Sequence, residues 1–240
     1  MPDALFDDPR LAVLYDDLHP GRDDLTAYEG LIAELGARSV LDVGCGTGSL
    51  AVRLAASGLD VVGVDPAAAS LDVARVKEHA DRVRWVHGDA TSLPAIEVDL
   101  AVMTGNVAQV FVADDDWLAT LAGVRRVLRP DGWFVFETRD PERRAWEDWT
   151  PDRSKRGHVL ADGRTATVTH EVIGLSLPLV TFRTTIRVDG DEPLRSTSTL
   201  HFRSRERLAK MLEAAGFAVR EIRDAPDRPG LELVHLTQPA

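Results

Sequence analysis

The sequence has one cysteine, Cys45, which excludes an intramolecular disulfide framework and any zinc site built on clustered thiolates. Lysine is scarce: Lys77, Lys155 and Lys210 are the whole set, and every other cation is arginine, a pattern read as genomic bias rather than as a binding signal. Positive charge is in deficit, with 28 Lys and Arg against 39 Asp and Glu, so the net charge is −11. That weighs against non-specific nucleic-acid binding, which depends on cations against phosphates. No apolar run approaches the ~20 residues of a membrane span. The start, Met1-Pro2-Asp3-Ala4-Leu5-Phe6-Asp7-Asp8, is acidic and has neither the basic region nor the apolar run of a signal peptide. Internal repeats and low-complexity tracts are lacking too. A reducing, cytoplasmic setting without a membrane partner is the expectation.

What is present is ordinary globular composition: 240 residues, 44% apolar and 28% charged, enough for one domain with a sizeable insertion. Residues 22–35 predict an amphipathic helix, with Asp23 and Asp24 at its start, Leu25, Tyr28, Leu31, Ile32 and Leu35 as its stripe and Gly36 at its end. Short apolar strands then alternate with helices. Strands are predicted at 39–43, 61–64, 83–86 and 98–103, and helices at 49–57, 67–78 and 114–128. The turn Arg129-Pro130-Asp131-Gly132 leads to a fifth strand, 133–137. This order predicts a doubly wound, parallel α/β sheet.

The pattern changes after Asp140-Pro141. A polar segment, 142–150, carries Trp146 and Trp149; period-two runs follow at 165–172, 180–188 and 196–202. A helix at 204–215, opened by Ser204 and closed by Gly216, and strands at 217–222 and 231–237 return the chain to the α/β pattern. The expected division is a core of 1–140 and 204–240 with an antiparallel β insertion at 141–203. That insertion would sit over the ligand crevice and serve as lid, homodimer interface or both.

The most informative segment is Asp42-Val43-Gly44-Cys45-Gly46-Thr47-Gly48, where a buried strand enters a three-glycine turn and a helix follows. Glycines admit positive φ and let a ligand approach the main chain. The helix N-terminus offers free N–H groups. Asp65, seventeen residues after Gly48, ends the second strand, where a carboxylate can accept from a ribose diol. Gly46-Thr47-Gly48-Ser49-Leu50-Ala51 also fits the nicotinamide pattern G-x-G-x-x-A. Asp42 facing a pyrophosphate and the extra Gly44 oppose that reading.

The segment Asp42–Gly48 resembles the D-x-G-x-G-x-G motif of class I S-adenosylmethionine-dependent methyltransferases. The likeness extends through Asp65, Gly88-Asp89-Ala90, the strand Asp99–Met103 and Leu128-Arg129-Pro130-Asp131-Gly132, covering about residues 35–140. The resemblance implies a mostly parallel, seven-stranded Rossmann-like sheet, an enzyme, S-adenosylmethionine as cofactor and S-adenosylhomocysteine as its product, with no metal. It implies that Gly44, Gly46 and Gly48 wrap the methionine and ribose parts. Asp42 would help hold the amino end, and Asp65 with Pro66 would lie at the ribose. Asp89 and Ala90 would meet the adenine, and a carbonyl of Met103 or Thr104 would lie near the amino group and sulfonium. Tyr15 either closes over the methionyl end or packs as a helix residue. An acidic crevice suits a cofactor that carries a sulfonium and an ammonium.

The acceptor is read from departures. The Asn/Asp-Pro-Pro-Tyr/Phe signature of many nucleic-acid amino methyltransferases is absent; the chain has Met103-Thr104-Gly105-Asn106-Val107-Ala108-Gln109-Val110. With the negative charge, this lowers a nucleic-acid partner. The insertion resembles the lid of small-molecule methyltransferases, including those acting on amino sugars, in which a polar side chain, often His, stands near the position of Gln109. Gln109 cannot serve as a base near neutral pH, so it would orient substrate. His170 is either a sheet histidine with one hydrogen bond or a base or contact on the lid underside. His201 is expected to face solvent, His87 to flank the adenine pocket, and His19 to lie in a loose turn. Arg139 either holds a substrate anion or pairs with Glu137 or Asp140; Glu137 points toward or away from the crevice. Cys45 is read as packing. Methyl transfer to an N or O atom of a small molecule is the expectation. The alternatives are a cofactor-binding protein with non-methylating chemistry, an RNA or protein methyltransferase, a non-catalytic module and a nicotinamide oxidoreductase.

Overall fold

The computed structural model describes residues 2–240, the side chain of Asp23 set aside, so Met1 and that side chain lie outside the described residues. Three short helices, α1 (Ala4–Asp7), α2 (Pro9–Ala12) and α3 (Tyr15–Leu18), precede α4 (Asp23–Glu34). Then follow β1 (Ser39–Val43), α5 (Ser49–Ala56), β2 (Asp60–Asp65), α6 (Ala68–Arg75), β3 (Val83–His87), β4 (Val98–Met103), α7 (Asp114–Val127) and β5 (Leu128–Arg139). After 3₁₀ turns at 141–148 come α8 (Pro151–Ser154), β6 (Arg156–Val159), β7 (Thr165–Ser176), β8 (Leu179–Val188) and β9 (Leu194–His201). The chain ends with α9 (Arg205–Ala214), β10 (Phe217–Asp224) and β11 (Glu232–Pro239).

Seven strands form one sheet in the order β10-β11-β5-β4-β1-β2-β3. The pairs from β5 through β3 are parallel, whereas β11 is antiparallel to both β5 and β10. The central strands are apolar on both faces because helices cover both. On one face Leu25, Tyr28 and Ile32 of α4 and Leu50, Ala51 and Leu54 of α5 pack on Val40, Leu100, Val102 and Val135. On the other, Trp117, Leu121 and Val124 of α7 and Leu208, Met211 and Leu212 of α9 pack on Leu41, Val43, Phe134 and Phe136. Each buried side chain of this size contributes roughly 1.5–3 kcal/mol.

The second sheet is antiparallel, in the order β6-β7-β8-β9. The pairs Ala166–Val188, Val168–Ile186, His170–Thr184 and Val172–Phe182 put the even residues of β7 and β8 on one face. One end of that face packs Ala166, Ile186 and Val188 against Leu11 and Leu18 of the N-terminal helices. The other end packs Val180 and Leu200 against Trp146 and Phe202. Between the two apolar ends lies a polar middle that includes His170 and Thr184. The chain returns to the core through Arg203, which is buried and donates to Asp114 (2.9 Å) and to the Phe111 carbonyl (2.7 Å).

Several boundaries differ from expectation. Residues 129–132 form an excursion inside one strand: Val98 pairs with Leu128 and Leu100 with Trp133, so one residue of β4 faces four of β5. The helix predicted at 67–78 stops at Arg75, and Val76 is 83% exposed, so no partner holds a further turn. The helices α1 and α2 and the strand β6 have no counterpart in the sequence expectations, whereas Tyr15 does open a helix, α3, as one of its two readings has it. His201 does not simply face solvent: it is half-buried, and its Nδ1 lies 2.8 Å from the Val112 carbonyl.

Candidate active site

At the carboxyl end of β1 the three glycines take positive φ, but for different reasons. A Cβ on Gly44 would come within 2.7 Å of both Val107 methyls. One on Gly48 would stand 2.4 Å from the Trp85 ring and 2.9 Å from Ala74 Cβ. Both glycines are required by the protein's own packing. A Cβ on Gly46 would meet nothing within 4 Å, so this residue leaves its main chain open to an approaching ligand.

Carboxylates ring the opening. Asp42 is buried and accepts no hydrogen bond from a described residue. Burial first, then the nearby Asp65, pushes its pKa up to about 7. Asp65 is raised as well, chiefly by burial, and accepts from the N–H groups of Gly46 and Ala67, both at 2.8 Å. It thereby ties the glycine turn to β2, and the intervening Pro66 offers its carbonyl to His87 at 3.1 Å. Asp89 caps a 3₁₀ turn by accepting from the Thr91 N–H at 2.8 Å. Ala90 is fully buried, and its carbonyl lies so close to α7 that a Cβ on Gly123 would fall within 2.1 Å of it. Met103 is buried at the end of β4 and Thr104 follows, half-buried. Cys45, its thiol pushed up by burial and then by Asp42 and Asp65, has the character of a packing residue. Among the described residues no group of three or more His, Cys, Asp or Glu could hold a metal.

The N-terminal helices seal this opening. Asp16 accepts from Thr47 Oγ1 (2.7 Å) and Ser49 Oγ (3.2 Å) and pairs with Lys77 Nζ (2.6 Å). Burial opposes its ionisation, yet these partners hold its pKa below the ordinary carboxylate value. Tyr15 is thereby held beside the turn, its pKa raised by burial, with its ring stacked on His19 at 4.3 Å and tilted against Phe6 at 5.7 Å. Arg22 pairs with Asp24 (2.9 Å), and its charge reaches Asp42 and Tyr15. The turn at His19 is therefore built, not loose.

Beyond β4 and β5 lies a second group. Arg139 reaches under the four-stranded sheet, with its guanidinium carbon 5.5 Å from the Trp149 ring centroid. Its backbone N–H and Nη1 both donate to Gln109 Oε1 at 3.2 Å. Trp149 tilts against Phe182 (4.7 Å), which meets the His170 ring edge-on (5.8 Å). His170 Nδ1 contacts Thr184 Oγ1 at 3.1 Å. Burial, then the charge of Arg139, lowers the His170 pKa, so it is neutral at pH 7. The sheet-histidine reading and the lid-underside reading of His170 are thus compatible.

Arg139 pairs with neither Glu137 nor Asp140; its carboxylate is Glu232, 3.5 Å away on β11. Glu137 turns inward, accepting from Tyr28 Oη and from the Asn106 N–H (2.9 Å). Asn106 in turn donates to Glu232 at 3.1 Å, and Arg228 donates to the same carboxylate at 2.7 Å. The structure thus brings Tyr15, Asp42, Gly46 and Asp65 to one opening, and Gln109 and His170 to the adjoining group. Sequence reasoning missed Asp16, Arg22, Asn106 and Glu232. Asp16 stood beside the flagged Tyr15 and was the one available signal; the others carry no motif.

Residues 40–132 match a family model described as a methyltransferase domain. The cypemycin N-terminal methyltransferase of Streptomyces sp is 34% identical over 125 residues, 52% of this chain and 51% of that protein. An uncharacterized methyltransferase of Mycobacterium tuberculosis is 43% identical over 112 residues, 46% of this chain and 44% of that protein. The chain spans about half the length of these curated relatives. Among solved structures, the CcbJ methyltransferase of Streptomyces caelestis superposes with a TM-score of 0.74 at 21% identity, covering 96% of both chains. The amino pentose methyltransferase CalS10 of Micromonospora echinaspora gives 0.71 at 20% identity, covering 94% of this chain and 95% of that one. At such identities the likeness is one of fold. The matched domain lies on the strand–turn–strand core that carries Asp42, Gly46, Asp65 and Asp89, so over residues 40–132 the chain is similar to methyltransferase domains, and its fold is the one seen in S-adenosylmethionine-dependent methyltransferases.

Proposed function

We propose that this chain transfers a methyl group from S-adenosylmethionine to an N or O atom of a small molecule held beneath the four-stranded sheet. The observation that carries the reading is the contiguous group Gln109, Arg139, Trp149 and His170. It stands at the carboxyl ends of β4 and β5, next to the glycine opening and roofed by β7 and β8. A site covered by the second sheet and bordered by the Asp16 contacts suits a small acceptor better than a nucleic-acid strand.

The residues present fit the cofactor. Gly46 leaves room for close approach, and Asp42 and Asp65, whose ionisation burial opposes, are carboxylates that a cationic ligand would draw into their charged form. When bound, S-adenosylmethionine supplies a methyl already activated by its sulfonium. The protein's part is to bind, orient and exclude water, and orientation alone can lower a barrier by ~7–11 kcal/mol. Asp65 would hold the ribose end, Asp89 and Ala90 the adenine, and Asp42 the amino end, with Arg22 nearby for the carboxylate. Tyr15, Met103, Thr104 and the packed glycines Gly44 and Gly48 shape the walls. Neutral His170 can take a proton from the acceptor, and Gln109 orients rather than deprotonates. Residues 141–203 act as the lid.

The cypemycin relative, named for an N-terminal substrate position, favours a second reading in which the acceptor is the amino terminus of a short peptide. Both readings are tested by incubating the chain with methyl-labelled cofactor and pools of amines, phenols, alcohols and short peptides, followed by mass spectrometry. Label in a small molecule supports the first reading and label on a peptide terminus the second. Label entering RNA or folded protein alone, or cofactor uptake with no label transfer, rejects both.

A further inference from the structure

Resting on the small-molecule reading above, Gln109 and Arg139 bear on what the acceptor carries. Gln109 is 2% exposed, and both hydrogens directed at Oε1 come from Arg139. Those two donors fix the amide orientation, since an NH₂ could not accept them. The amide nitrogen, Nε2, is then a buried donor without an acceptor. A buried donor of this kind is costly to leave unpaired and calls for an acceptor.

Arg139 beside it is also incompletely engaged. Its Nη1 is occupied by Gln109 and its Nε faces Glu232 at 3.5 Å, while Nη2 has no partner among the described residues. Glu232 is itself shared: Arg228 takes one oxygen and Asn106 the other. Glu137 stands near, but Tyr28 and Asn106 occupy its oxygens. The carboxylates that Arg139 meets are thus on β5 and β11 and already engaged, and two unused NH₂ groups, Gln109 Nε2 and Arg139 Nη2, remain on adjacent side chains. The guanidinium also borders the Trp149 ring, which continues through Phe182 to His170, so two flat apolar rings adjoin the pair. Unspent Arg donors beside an amide N–H match an oxygen anion, which Arg binds in bidentate fashion, and the ring wall matches a planar body.

We propose that Gln109 and Arg139 form an anion subsite, and that the acceptor carries a carboxylate or phosphate seated on it with a flat portion against Trp149. The probes are benzoate, phenyl phosphate and the isosteric neutral benzamide, titrated by ligand-observed NMR onto the chain with and without S-adenosylhomocysteine. At least one anion should bind tenfold or more tightly than benzamide; which of the two does so identifies the anionic group. The principal variant is Gln109→Glu, whose oxygen still accepts from Arg139 while a carboxylate replaces the donor. It should abolish the preference and leave S-adenosylhomocysteine affinity within threefold; Arg139→Met should do the same. Equal binding of benzoate and benzamide, no binding of either anion, or a preference that survives both variants overturns the proposal. So does a parallel loss of S-adenosylhomocysteine affinity, because the cofactor's own carboxylate would then occupy the site. If the chain takes no S-adenosylhomocysteine yet binds benzoate through Arg139, methyl transfer fails and the subsite stands.

Discussion

Gly46 and Gly48 lie two residues apart in one turn, both at positive φ, and the structure assigns them different duties. Replacing either by Ala imposes the left-handed strain of a Cβ, about 1–2 kcal/mol. For Gly46→Ala that is the full cost to folding, since the new methyl meets nothing within 4 Å. For Gly48→Ala the methyl falls 2.4 Å from Trp85 and 2.9 Å from Ala74, both packed under the turn. Overpacking adds about 1–3 kcal/mol, so the total is roughly 2–5 kcal/mol. Urea unfolding should therefore show Gly48→Ala clearly less stable than Gly46→Ala. Calorimetric titration with S-adenosylhomocysteine should show the reverse emphasis. Gly46→Ala, although folded, should bind at least tenfold more weakly, about 1.4 kcal/mol, because its methyl occupies the open side. Undiminished binding by Gly46→Ala, or a larger stability loss there than at Gly48, would refute the division of roles.

Three further outcomes follow from the same contacts. Asp42, raised from 3.8 to about 7, contributes stability that is complete below its unfolded pKa and is lost as pH rises through the folded value. Asp42→Asn should thus gain relative to the wild type by up to roughly 4 kcal/mol between pH 4 and pH 8 in denaturant unfolding, while binding cofactor more weakly. Tyr28→Phe removes a donor from buried Glu137 and should cost about 1–3 kcal/mol in the same assay. Asp16→Ala breaks the contacts to Thr47, Ser49 and Lys77 and should speed S-adenosylhomocysteine dissociation several-fold in stopped flow; an unchanged rate would remove the N-terminal helices from the seal.

The parts legible in the sequence were those with local causes. Strands 39–43 and 98–103 are apolar runs bounded by charge or glycine, and the structure places them at those residues. The glycine turn was readable because strand, turn and helix are contiguous. The strand Arg156–Val159 was not, because four mostly exposed residues, Arg-Gly-His-Val, show no alternation. The helices of residues 4–18 are four residues each and are held by packing on a sheet more than 140 residues away. The acceptor side was illegible for the same reason. Asn106 meets Glu232 across 126 residues and Arg139 meets Gln109 across 30, and no periodicity encodes which side chains converge at the ends of β4, β5 and β11. Even the glycine motif hid a distinction: a Cβ at 44 or 48 would collide with packed side chains, whereas one at 46 would meet open space.

The central claim is that the opening between Asp42, Gly46 and Asp65 is a nucleoside site for a sulfonium cofactor. It is tested most directly by calorimetric titration of the folded chain with S-adenosylhomocysteine, with NAD as control. Saturable uptake of one S-adenosylhomocysteine per chain and no heat from NAD are expected. Folded protein that takes up no S-adenosylhomocysteine, or that binds NAD more tightly, would contradict it.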